Sequence, residues 1–215
     1  MVRKNQIDNI FETLIKRYQT NSKTELQYYN NYQLLVAIML SAQSTDKQVN
    51  RITDKLFKKL KTPKDAIKLG FDEINKLIKG VNYHNMKAKH IIEMSQRLIE
   101  VFGGGVPNNM NDLTSLAGVG RKTANLVLNI AFGKSTIAVD THVFRVAERI
   151  GLTTNSKNPF DSEKQLSKNV PQKYHEFINE TLILLGREFC TARKCKCENC
   201  PVKEWCRYYK NLKHK

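Results

Sequence analysis

Apolar residues recur along most of the chain at the three- and four-residue spacing of amphipathic helices. Ile7, Ile10, Phe11, Leu14, Ile15 and Tyr18 fall at i, i+3, i+4, i+7, i+8 and i+11, which predicts a first helix with one apolar face. Leu34 to Leu40 is instead a continuous apolar run, read as a helix buried on all sides with a buried strand as the alternative. Thr62-Pro63 has the form of an N-cap followed by proline at the first helical position. Ile74, Leu77 and Ile78, then Ile91, Leu98, Ile99 and Phe102, continue the helical pattern until Gly103-Gly104-Gly105-Val106-Pro107 breaks it with turn chemistry.

Ala124, Val127, Leu128 and Ala131 form a further stripe, closed by Gly133 where a glycine commonly ends a helix. Val143, Phe144, Val146, Ala147 and Ile150 follow, with Gly151 in the same place. Tyr174, Phe177, Ile178, Thr181, Leu182 and Leu185 mark a last long helix that runs into a group of cysteines. Only Thr136 to Val139 is β-branched in character, and it is too short for a sheet. The sequence contains neither a 20–50-residue repeat nor a low-complexity segment. The predicted fold class is all-α.

The 215 residues allow one large domain or two small ones, and 40% hydrophobic residues suffice for a packed core. Lysine and arginine number 36 against 20 acids, a formal charge of +16. That balance points to a polyanionic partner, nucleic acid before an acidic membrane surface. The seven-residue apolar run is far below the about 20 needed to span a bilayer, so no membrane span is expected. The basic N-terminal residues lack the apolar core of a signal peptide, which argues against secretion.

Cys190, Cys195, Cys197, Cys200 and Cys206 lie within 17 consecutive residues. A disulfide framework would spread cysteines to close long loops, whereas a metal site gathers them. The odd number also leaves one thiol unpaired. A cytoplasmic protein with reduced thiols is expected. The spacing Cys190-x6-Cys197-x2-Cys200-x5-Cys206 leaves Cys195 over, and by itself it allows either zinc or an iron–sulfur cluster.

Leu116-Ala117-Gly118-Val119-Gly120-Arg121-Lys122-Thr123 lies between a short apolar segment and the Ala124 stripe. Two glycines allow a tight turn and a close approach of backbone to a ligand. The turn opens a helix, whose N–H groups and positive dipole end suit a phosphate. A P-loop would need glycine where Arg121 stands, and a dinucleotide fingerprint would need glycine at Thr123 and a preceding strand. Both readings fail. Lys122 stands just inside the helix start, where the dipole favours the neutral amine that nucleophilic attack requires. A phosphate-gripping lysine is the plainer use of that position. Asp140 directly precedes Thr141 and a helical pattern, so it is also a candidate N-cap.

The hairpin Leu116-Ala117-Gly118-Val119-Gly120, with Asp140 twenty residues after Gly120, resembles the helix–hairpin–helix, Gly/Pro-rich-loop and aspartate superfamily of DNA glycosylases. The cysteine cluster and Leu40-Ser41-Ala42-Gln43-Ser44-Thr45-Asp46 extend the resemblance to the endonuclease III family, over nearly the whole chain. Two departures stand out. Ala117 replaces the proline usual in the hairpin, and Asn82-Tyr83-His84-Asn85-Met86-Lys87-Ala88 puts Tyr83 where a leucine usually wedges into the duplex.

The resemblance implies a bifunctional glycosylase and abasic-site lyase of base excision repair acting on oxidised pyrimidines in double-stranded DNA. The matching lysine, Lys122, would attack C1′ of the damaged nucleotide and form a Schiff base; β-elimination would then cut 3′ to the lesion. Asp140 matches the essential aspartate, which can stabilise positive charge on the sugar and assist proton transfer. Gln43 would fill the space of an extruded base; from the substitution itself, Tyr83 is read as stacking where the family's leucine wedges. The backbone at Gly118, Gly120 and Arg121 would hold phosphate. Cys190, Cys197, Cys200 and Cys206 would hold a [4Fe-4S] cluster, and Arg193, Lys194 and Lys196 would form a basic edge on the first cysteine loop. His142 receives no catalytic role.

A helical barrel domain is expected over residues 23–134, with the hairpin at about 112–132. Residues 1–22 and 135–215 would form a discontinuous cluster domain, in a monomer whose Lys122 and Asp140 flank the mouth of a DNA cleft. A monofunctional adenine-mismatch glycosylase is disfavoured by the presence of Lys122 and by the nine residues after Cys206, too few for its extra domain. A purely structural DNA-binding module would leave the lysine, aspartate, glutamine and cysteines as coincidence.

Overall fold

A computed structural model gives the fold and describes residues 2–20 and 24–213. Among them are eleven α-helices and no strand, as the periodicity predicts. The first seven are α1 (Lys4–Tyr18), α2 (Asn31–Ser41), α3 (Asp46–Lys59), α4 (Pro63–Leu77), α5 (His84–Phe102), α6 (Met110–Thr114) and α7 (Arg121–Phe132). Then come α8 (Thr141–Ile150), α9 (Pro159–Asn169), α10 (His175–Glu188) and α11 (Arg207–Lys213), with short 3-10 turns at Gln172–Tyr174, Cys197–Asn199 and Lys203–Trp205. Tyr174 belongs to the first of those turns, so the last long helix begins one residue later than its apolar stripe.

The chain divides into two units, Thr24–Lys134 and a discontinuous one made of Met1–Lys23 with Ser135–Lys215. The expected boundary between residues 22 and 23 lies outside the described residues. Each unit has its own apolar core.

In Thr24–Lys134, α2 runs through the centre, and Leu34 to Leu40 are all buried. Burying one leucine contributes roughly 1.5–3 kcal/mol, so an uninterrupted apolar run demands neighbours on every side. Its N-terminus is fixed by Asn30, whose side chain accepts from the Gln33 N–H at 2.9 Å. Thr62 is the N-cap of α4 as expected from Thr62-Pro63, and Asp65 adds a capping box, accepting from the Thr62 N–H at 2.8 Å. Gly70, with φ 72°, kinks α4 midway. The Gly103 turn ends α5 with φ 60°, in the left-handed conformation.

In the discontinuous unit, α1 supplies Ile7, Ile10, Phe11 and Leu14 to a core shared with α8, α9 and α10. Phe11 stacks on Tyr174 with ring centroids 5.0 Å apart, and the Tyr174 hydroxyl donates to Asp8 at 2.8 Å. Arg17 bonds Glu188 at 2.5 Å, tying the end of α1 to the end of α10.

Candidate functional site

The first part of the site is built within Thr24–Lys134. Leu113, Leu116 and Val119 are buried and anchor the turn between α6 and α7, while Ala117 is half-buried. The turn closes through the Leu116 N–H to Leu113 O and the Val119 N–H to Leu116 O, each 3.1 Å. The two glycines do different work. Gly118 has φ 73°, and a Cβ there would lie 2.8 Å from both His90 Nδ1 and Met39 Sδ, so conformation and packing each require glycine. Gly120 is extended, with φ −84°, and a Cβ there would meet nothing within 4 Å. What glycine achieves at position 120 is an N-cap without a side chain, leaving the helix start open to close approach. Arg121 and Lys122 are the first two residues of α7, and both are exposed.

On the same unit, Gln43 lies in the turn after α2 and Tyr83 directly precedes α5. Both are exposed, Tyr83 by 68%, and both adopt the left-handed backbone, with φ 59° and 57°. The structure brings their loops together: the Asn82 side chain donates to the Gln43 carbonyl at 2.5 Å. Beneath them lies Lys87, buried and donating to the Leu40 and Ala42 carbonyls at 2.8 and 2.7 Å. The sequence reading assigned Lys87 no task. Its place on the stripe Lys87, Ile91, Met94 and Leu98, all buried in α5, was the available signal.

The second part lies within the discontinuous unit. Asp140 is the N-cap of α8, and its Oδ1 accepts from the His142 and Val143 N–H groups at 2.8 and 2.9 Å. The preceding segment is held by buried Ile137 and Val139 and by the Asn179 side chain, which donates to Ala138 O at 2.8 Å. His142 packs against Gly186 and lies 3.1 Å from the Arg145 guanidinium, a packing position.

Cys190, Cys197, Cys200 and Cys206 line one pocket, whose remaining wall includes Ile150, Leu185, Phe189, Tyr208 and Tyr209. Cys195 is not part of that lining; its thiol is hydrogen-bonded to Cys197. Burial first, then neighbouring thiols, pushes Cys197 up to about 12; burial pushes Cys200 up to about 11 and raises Cys206. Arg149 fastens the first cysteine loop, donating to Cys190 Sγ at 3.6 Å, Thr191 O at 2.7 Å and Ala192 O at 3.0 Å. The loop is further closed by the Lys196 N–H to Phe189 O at 2.8 Å and by Thr191 Oγ1 donating to Lys194 O. Arg193, Lys194 and Lys196 stand exposed on it. Arg207, just after Cys206, pairs with Glu148 of α8 at 3.0 Å. Burial opposes ionisation of Glu148, but hydrogen bonds from Asn155, Ser156, Thr153 and Arg207 outweigh it and hold the carboxyl at about 2.

The donor set fits an iron–sulfur cluster: four thiols around one largely apolar pocket, on a loop braced by hydrogen bonds. Among the described residues, no group of three or more His, Cys, Asp or Glu side chains is set to hold a single metal ion. Also among them, no helix is long and apolar enough to cross a membrane.

Residues 36–172 match the HhH-GPD superfamily of base excision DNA repair proteins. The chain is 47% identical to endonuclease III of Rickettsia felis over 203 residues, 94% of each protein. It is similar in structure to a trapped endonuclease III–DNA covalent intermediate in an estranged-adenine complex, with TM-score 0.87 and 37% identity, covering 99% of this chain and 100% of that one. A thermostable thymine-DNA glycosylase is also similar, with TM-score 0.83 and 27% identity over 96% of this chain and 98% of that one.

Proposed function

Because the chain belongs to the HhH-GPD superfamily of base excision DNA repair proteins, we propose that it is a bifunctional DNA glycosylase and abasic-site lyase acting on oxidised pyrimidines. The observation that carries this reading is Lys122, an exposed amine on the first turn of α7, directly behind the hairpin that Gly118 makes possible. A monofunctional enzyme activates water and has no use for an amine there. The likeness to endonuclease III over nearly the whole chain supports the same choice.

In this mechanism the backbone around Gly118, Gly120 and Arg121 holds a phosphate, which brings the damaged nucleotide to Lys122. The Nζ lone pair attacks C1′, the glycosidic bond breaks and the base leaves with the bond's electron pair, taking a proton from solvent water. Asp140 stabilises the positive charge that develops on the sugar and accepts the proton shed by the attacking amine. Ring opening gives the imine between Lys122 and C1′. Loss of a C2′ proton then expels the 3′ phosphate, and hydrolysis of the imine frees the lysine. Gln43 occupies the space of the extruded base, and Tyr83 stacks on the opposite strand. The protein acts on this duplex as a monomer, in the cytoplasm.

The unit Thr24–Lys134 is then the hairpin-bearing helical domain, and the discontinuous unit is the cluster domain. Cys190, Cys197, Cys200 and Cys206 would hold a [4Fe-4S] cluster that fixes the fold of the loop, with no electron transfer in the reaction.

The test of the activity is a duplex containing thymine glycol, with a parallel duplex carrying thymine opposite guanine. The expected result is release of the oxidised base together with a 3′ unsaturated aldehyde end, at a rate at least tenfold above that on the mispair. Base release without strand cleavage would contradict the lyase assignment, and preference for the mispair would contradict the substrate.

Two further outcomes test the cluster domain. Purified protein should be yellow-brown with roughly four iron and four sulfide per chain. Cys195→Ser should keep that stoichiometry, whereas Cys197→Ser should lose it and unfold at lower temperature. Stoichiometric zinc without iron after anaerobic purification would overturn the assignment. If the cysteine loop faces DNA, Arg193→Ala with Lys194→Ala should weaken binding to undamaged duplex. It should also flatten the log–log salt dependence by roughly one to two units, at about 0.9 per phosphate contact. An unchanged slope would place the loop in solvent.

A further inference from the structure

We propose that Lys87 and Asn82 are positioning residues that lock the Gln43 and Tyr83 loops into one prebuilt rim, so that both side chains enter the duplex together. The proposal rests on the reading of Gln43 and Tyr83 as the residues that replace and support displaced bases. It begins from the rarity of a buried lysine. Lys87 is only 6% exposed, and its ammonium donates to the Leu40 carbonyl at 2.8 Å and the Ala42 carbonyl at 2.7 Å. Both carbonyls lie at the C-terminal end of α2, where backbone acceptors have no partner within the helix and the dipole favours a cation. Burial pushes the Lys87 ammonium below the usual lysine value, so the carbonyls stand in for the water it has lost. A cation so placed clamps the turn that carries Gln43 onto the helix that begins after Tyr83.

A second tie is independent of the first. The Asn82 side chain donates to the Gln43 carbonyl at 2.5 Å, and its backbone N–H donates to Ser44 Oγ at 3.4 Å. Gln48 closes the seam from the other side, its amide donating to the Gly80 carbonyl. The acceptors at Leu40, Ala42 and Gln43 are thus all engaged by the segment that carries Tyr83. The backbone at both tips is left-handed without being glycine, φ 59° at Gln43 and 57° at Tyr83, a conformation that persists only where the surroundings over-determine it. The result is a rigid support under exposed tips: Tyr83 is 68% exposed, and nearby Met86 54%. A rim ordered before DNA arrives spends none of its binding energy on ordering loops.

The experiment uses a duplex with 2-aminopurine beside a thymine glycol, whose fluorescence rises on unstacking, and single-stranded abasic DNA, which requires no extrusion. Lys87→Met should slow unstacking about tenfold, the size expected for losing hydrogen bonds from a buried charge, and Asn82→Ala about three- to tenfold, the size expected for one neutral hydrogen bond. Both should retain cleavage of the single strand, and Lys87→Arg should recover part of the loss. Lys87→Met combined with Gln43→Ala should unstack no more than about twofold slower than Gln43→Ala alone. Should Lys87→Met fail to fold, Asn82→Ala, at an exposed position, carries the same comparison. If Gln43→Ala and Tyr83→Ala themselves leave unstacking unchanged, the rim reading fails and the proposal with it. If those two slow it while Asn82→Ala and Lys87→Met do not, the positioning role alone is overturned. Equal losses on duplex and single strand would reduce Lys87 to a stability residue.

Discussion

Lys122→Gln should abolish both strand cleavage and the imine to abasic DNA, lowering the lyase rate by at least about three orders of magnitude. The side chain is exposed on the first turn of α7, so its loss opens no cavity. Glutamine is a good helix former, and the turn behind it depends on Gly118, Leu116 and Val119 rather than on the amine. The fold should therefore survive. Affinity for DNA should also survive in the main, because one positive charge of 36 is lost and the salt slope should change by no more than about 0.9. The comparison of rate with affinity, measured on one preparation, separates a nucleophile from a phosphate contact. A variant that binds tenfold worse and cuts tenfold more slowly would describe the contact.

Asp140→Asn is the second large effect, and the structure makes it a clean test. Asp140 caps α8 through one oxygen that accepts from two backbone N–H groups. Asparagine caps as well as aspartate, so the substitution keeps the start of the helix while removing the charge. Base release should slow roughly 10²- to 10⁴-fold while lesion binding persists, because the carboxylate would act chiefly on charge that develops in the transition state. Asp140→Ala should lose the same activity and, in addition, about 1 kcal/mol of stability from the missing cap. Wild-type base release by Asp140→Asn, with only Asp140→Ala impaired, would leave this residue as a cap.

Much of the fold was legible because burial writes itself into periodicity. The stripe from Ile7 to Tyr18 became α1, and the continuous run from Leu34 to Leu40 became the buried stretch of α2. Capping chemistry marked several ends: Thr62-Pro63 opens α4, and Gly133 and Gly151 close α7 and α8 in the left-handed conformation. Periodicity is silent on which core receives a stripe. Nothing in Ile7, Ile10, Phe11 and Leu14 states that they pack with residues beyond 135, since any apolar partner would satisfy them.

The hairpin shows a finer limit. Its two glycines look alike in the sequence, yet one is required by φ and by His90 and Met39, residues distant in the chain, and the other by the space in front of it. Gly70 leaves no trace in the sequence pattern, although it kinks α4, because one residue of positive φ leaves the apolar spacing on either side intact. Lys87 is concealed for a related reason. A lysine between Met86 and Ala88 looks like surface until its register with Ile91 and Leu98 is counted, and its task depends on carbonyls some 45 residues earlier. Long-range hydrogen bonds to backbone leave no pattern in the local sequence.

The proposed reaction turns on a covalent bond between one amine and a sugar carbon. Incubating the wild-type protein with abasic-site DNA, reducing with borohydride and sequencing the cross-linked peptide by mass spectrometry identifies that amine directly. The cross-linked peptide should carry its sugar remnant on Lys122. A remnant on another lysine or on the N-terminal amine, at comparable yield, would contradict the mechanism.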